Sequence, residues 1–61
     1  MKYHVSQNST YIEIVKIRYK NELYMKCWVR WYSKSSNTLV AEHKSMKIPL
    51  AATNHWEKWN D

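Results

Sequence analysis

The stretch Leu23–Tyr32, LYMKCWVRWY, decides the fold. Read alternately, it separates into two faces. Leu23, Met25, Cys27, Val29 and Trp31 are apolar, while Tyr24, Lys26, Trp28, Arg30 and Tyr32 alternate aromatic with basic. A period of two marks a strand whose successive side chains point to opposite faces. The apolar set asks for a core. An ordinary solvated face would carry Thr, Ser, Lys and Glu, whereas this one carries three large aromatics, Tyr24, Trp28 and Tyr32. It reads as a binding surface.

Working outward, the turns come next. Glycine is absent, so a left-handed turn position falls to asparagine, the usual substitute. Asn8, Asn21 and Asn37 each lie between strand-like runs and mark three hairpin tips. The strands are then about Lys2 to Ser6, Thr10 to Tyr19, Leu23 to Tyr32 and Thr38 to Ser45. Tyr, Val, Ile, Trp and Thr dominate the second and third, as strand preference asks.

Parity sets the register. A three-residue loop of Lys20, Asn21 and Glu22 pairs Tyr19 with Leu23, Ile17 with Met25, Val15 with Cys27 and Tyr11 with Trp31. A two-residue loop would turn the apolar set of one strand to the wrong side. One face of a four-stranded meander then collects Val5, Tyr11, Val15, Ile17, Met25, Cys27, Val29, Trp31, Leu39 and Ala41. Glu13 breaks the pattern by falling opposite Val29. It needs a partner, the edge of the cover or a different register.

A single sheet needs a cover. The remaining segment, Pro49–Asp61, has a proline suited to a first helical turn. Ala52, Trp56 and Trp59 lie at i, i+4 and i+7, one helical stripe. The expected fold is α+β: a four-stranded antiparallel meander with one C-terminal helix on one face (ββββα), a single small domain over residues 1–61.

Composition bounds the rest. A chain this short buries only about 60% of its unfolded surface, so its stability is marginal and a homodimer is a possible remedy. Cys27 is the only cysteine, which excludes an internal disulfide and fits a reducing compartment. No apolar run approaches a membrane span, and the first ten residues lack the apolar core of a signal peptide. A cytoplasmic protein with no membrane role is expected. The net charge of +5 and pI near 9.5 favour acidic partners, nucleic acid foremost. The abundance of Lys, Asn, Tyr and Ser suits an A+T-rich phage or mobile-element gene.

On the second face the same register lines up Lys16, Lys26 and Lys44 across three strands, with Arg18, Lys20 and Tyr24 beside them. Like charges directly opposite are destabilising, so the row implies an anion to hold. Nucleic-acid binding follows as the first expectation. Lys16, Arg18, Lys20, Lys26, Arg30 and Lys44 take phosphates, and Tyr24 and Trp28 take bases or sugars. The alternative is a small inhibitor or adaptor that docks on a host protein through Ile12, Ile14, Trp28 and Tyr32, an exposed apolar cluster in this register.

Catalysis is not expected. No Ser-His-Asp or Cys-His arrangement is supported, and Asp61 is the only aspartate. Glu13 and Glu57 would approach each other only beneath the helix. His4, His43, His55 and Cys27 lack the short spacings of a zinc site, and His43 reads as a packed residue opposite Cys27. Without glycine there is no phosphate loop. No metal and no cofactor are implied.

Overall fold

The computed structural model describes residues 1–5 and 9–59. Among them the strands are β1 (Lys2–Val5), β2 (Thr10–Lys20), β3 (Tyr24–Ser33), β4 (Leu39–Pro49) and β5 (Trp56–Lys58), with a 3₁₀ segment at Leu50–His55. They form one antiparallel sheet in the order β4-β3-β2-β1-β5. Among the described residues no helix is long and apolar enough to cross a membrane.

This corrects the expected ββββα plan. The tail forms no α-helix; it turns once through the 3₁₀ segment and adds a fifth strand beside β1. Thr53 and Asn54 explain part of this. Such side chains compete with the helical backbone, and the Thr53 hydroxyl donates to the Leu50 carbonyl at 2.7 Å. The rest is backbone bookkeeping. Without β5 the outer edge of β1 would leave its N–H and C=O groups unpaired.

Trp56 and Trp59 share a stripe on a helix but fall on opposite faces of an extended chain. Trp56 packs against Tyr3 on the inner face, with ring centroids 5.7 Å apart. Trp59 lies on the outer face against Tyr11 and His4.

The hairpin turns use asparagine in two ways. Asn37 takes φ 60°, the only left-handed non-glycine residue among those described. Asn21 instead accepts the backbone N–H groups of Leu23 and Tyr24 on its side-chain oxygen, each at 2.9 Å. The tip expected at Asn8 lies outside the described residues.

The β2–β3 register also differs from the expected one. The ladder begins with Lys20 opposite Met25, then shifts at Val15 and at Arg18. Ile12 therefore faces Trp31, Ile14 faces Val29, and Glu13 faces Arg30. Each bulge adds one residue to one strand and reverses parity beyond it. The outcome inverts the first half of β2. Ile12 is 0% exposed in the inner core with Met25, Cys27, Val29 and Ile48, and Ile14 packs against that cluster. Tyr11 moves to the outer face. Ile17 remains on the inner face but is 48% exposed, and Leu39 is exposed. His43 faces Val29, not Cys27, and is exposed as well.

The cover of the inner face is the chain between β4 and β5, which sit at opposite edges of the sheet. Leu50 and Trp56 at its two ends pack on the core, and the Leu50 N–H donates to the Leu23 carbonyl at 2.9 Å. The cover stops short of one end. An open groove of about 360 Å³ remains there, lined by apolar side chains such as Ile17 and Met25 and by Lys20.

Candidate nucleic-acid interface

The outer face divides into two aromatic groups. The first is a column running across the sheet. Tyr32 stacks on Tyr11 with centroids 5.1 Å apart, Tyr11 stacks on Trp59 at 4.3 Å, and His4 tilts against Trp59 at 4.3 Å. Cross-strand neighbours of this kind are the unit of sheet stabilisation. The Tyr11 hydroxyl is hydrogen-bonded to the Asn37 side-chain oxygen, tying the column to the β3–β4 turn. The Tyr32 hydroxyl donates to Glu13 at 3.0 Å, which gives that carboxylate the partner it needs. Burial and, after it, this bond push the Tyr32 phenol above its ordinary range.

The second group centres on Trp28, whose ring is ringed by cations. Lys44 Nζ stands 4.1 Å from its centroid, the Arg30 guanidinium carbon 5.0 Å and that of Arg18 5.8 Å. Lys16 pairs directly opposite Trp28 on β2. Arg18, at the second bulge, reaches across β3 to donate from Nε to the Lys44 carbonyl at 3.0 Å. Such contacts hold a cation by the ring quadrupole, at about 0.5–1 kcal/mol where exposed. The Trp28 indole N–H donates to Glu42 Oε2 at 2.8 Å, and Arg30 Nε donates to the same oxygen at 2.9 Å. Those bonds, that from Arg30 first, hold the Glu42 carboxyl below its ordinary range. The bond to Glu42 likewise raises the Arg30 guanidinium.

Further along β3, Tyr24 tilts against Tyr19 and carries Lys47 Nζ 4.4 Å from its ring. Lys26 pairs with both Tyr19 and Lys47.

The structure thus brings Lys16, Arg18, Tyr24, Lys26, Trp28, Arg30 and Lys44 onto one face, as the sequence implied. Lys20 does not join them; it pairs with Met25 and lines the inner groove. The expected row of Lys16, Lys26 and Lys44 is broken by the bulges. Lys16 faces Trp28, with Lys44 over the ring, and Lys26 faces Lys47. Lys47 is the member that sequence reasoning missed, because the fourth strand was ended at Ser45 whereas β4 runs to Pro49. Alternating residues Met46 and Ile48 were the available signal.

The apolar docking cluster is not assembled. Ile12 and Ile14 belong to the inner core, while Trp28 and Tyr32 lie on the outer face in different aromatic groups. Glu13 and Glu57 do not meet beneath a helix. Glu13 bonds Tyr32, and Glu57 pairs with His4 on β1. His4 and Cys27 are on opposite faces, His4 against Trp59 and Cys27 in the core.

Compared with known proteins, the chain matches no family model, no curated protein and no solved structure. The functional reading rests on the geometry of this face.

Proposed function

We propose that this chain is a non-enzymatic nucleic-acid-binding module that lays a single strand across the outer face of β2, β3 and β4. One observation carries the reading: Trp28 stands among Lys16, Arg18, Arg30 and Lys44, so a base-sized π surface and phosphate-binding cations occupy one place. Binders of single strands combine these two elements, a cationic track for the backbone and aromatic platforms for bases. Tyr24 with Lys26 and Lys47 repeats the combination further along the face. A base arriving on Trp28 takes the position of the Lys44 ammonium, which turns to the adjoining phosphate. Stacking on a ring needs no particular base, so sequence preference is weak. A cytoplasmic setting suits the free, buried thiol of Cys27.

Titration of labelled single-stranded and duplex oligonucleotides at two salt concentrations tests the reading. Four engaged cations give a slope of log affinity against log salt of about −3 on single strands. The expected result is a slope of that size with single strands preferred. A flat response with no measurable binding to either would overturn it.

A further inference from the structure

Around Trp28 two donors and a cation converge on one oxygen. Glu42 Oε2 accepts from the Trp28 indole N–H at 2.8 Å and from Arg30 Nε at 2.9 Å, and Lys44 Nζ stands 3.8 Å away. This is the surrounding a phosphodiester oxygen takes, with charged donors and one neutral N–H around a single acceptor. Glu42 lies on β4, an edge strand, and its side chain plays no part in the inner core. Arg18, Arg30 and Lys44 would otherwise crowd one ring with no counter-charge among them. We propose that this cluster is a phosphate subsite already occupied by the chain's own carboxylate, and that Glu42 sets how tightly nucleic acid binds. The proposal rests on the nucleic-acid reading and adds the residue that governs its strength.

Binding is then an exchange. The Glu42 side chain swings from its edge position into solvent, and a phosphate oxygen accepts from Trp28 and Arg30 beside the Lys44 ammonium. One negative charge leaves as another enters, so the subsite adds little net attraction while Glu42 is present. A side chain without that charge offers the donors only a neutral acceptor, which a phosphate oxygen displaces at smaller cost.

The test is Glu42→Gln beside Glu22→Gln. Glu22 lies in the β2–β3 turn, so the second variant makes the same charge change away from the cluster. Glu42→Gln is expected to tighten single-strand binding roughly tenfold beyond Glu22→Gln, the share of one charge-assisted hydrogen bond. It should also steepen the salt slope by about 0.7, one phosphate's share. Equal affinity and slope in the two variants, or weaker binding by Glu42→Gln, would overturn the subsite while leaving the nucleic-acid reading intact. If neither the parent nor the variants bind nucleic acid, that reading fails and inorganic phosphate decides the subsite. A saturable shift of the Trp28 indole N–H resonance in Glu42→Gln, absent from the parent, would support it. No shift in the variant would overturn it.

Discussion

The two aromatic groups on the outer face are built from the same residue types and spend them differently. In the column of Tyr32, Tyr11, Trp59 and His4 the rings cover one another, and Tyr11 is left 2% exposed. Around Trp28 the ring meets cations instead, Tyr24 meets Lys47 as well as the Tyr19 ring, and Lys16, Lys26, Lys44 and Lys47 stay exposed. A ring covered by a ring is packing. A ring covered by an exposed ammonium can exchange that cover for a base. Counting aromatics on a sheet face therefore overstates a binding surface until their neighbours are known. The neighbouring pair Tyr11 and Ile12 makes the point, since both are buried although they face opposite sides. At that end of the sheet both faces are filled.

The comparison breaks first if the column is not structural. Tyr11→Ala empties a site packed by two rings and should cost about 3–5 kcal/mol in urea unfolding, the range for large aromatics. Trp28→Ala should cost clearly less in the same measurement, since each of its exposed cation–π contacts is worth only about 0.5–1 kcal/mol. Equal losses would erase the distinction.

Trp28→Ala should instead weaken single-strand binding by about 1–3 kcal/mol with the salt slope nearly unchanged, as loss of one stacked base predicts. Direct titration checks it. An unaltered affinity would move the stacking platform away from Trp28.

Lys26→Ala sharpens the cationic half of the same group. It should weaken all sequences alike and reduce the magnitude of the slope by about 0.7 on single strands. Oligonucleotides of unlike sequence, measured at two salt concentrations, read both effects.

The smallest effect belongs to the column. Burial and the bond to Glu13 raise the Tyr32 phenol, so the folded state holds that proton more firmly than the unfolded chain. Its contribution is complete below the ordinary tyrosine range and is lost as pH rises through the raised value. Ultraviolet titration should show a late phenolate that Tyr32→Phe removes. A titration curve unchanged by that substitution would detach Tyr32 from Glu13.

Much of this was legible in the sequence where one strand speaks for itself. The alternation in β3 assigned Met25, Cys27 and Val29 to the core and Tyr24, Lys26, Trp28 and Arg30 to the other face, and both assignments hold. Asn37 was legible as a left-handed turn because without glycine few residues tolerate that backbone. What failed lay between strands. A bulge leaves no signature in composition, and the one at Val15 carried Ile12 and Ile14 to the inner face and Tyr11 to the outer. Glu13 opposite Val29 was the visible symptom, and a shift of one residue resolves it by setting Glu13 against Arg30. The tail failed for another reason. Tryptophans three residues apart satisfy a helical stripe as well as a strand straddling an edge, and sequence spacing alone does not choose between them.

The placement of β5 has a consequence for biosynthesis. The Trp59 N–H donates to the Lys2 carbonyl at 2.8 Å, joining residues separated by almost the whole chain described. On the ribosome β2, β3 and β4 can pair as each hairpin emerges, whereas β1 waits for the last strand before its second side is closed. Contacts of such long sequence separation form slowly. Until they form, the nascent chain presents an open sheet edge beside β1, and its vulnerability to wrong pairing there ends only when β5 has left the exit tunnel.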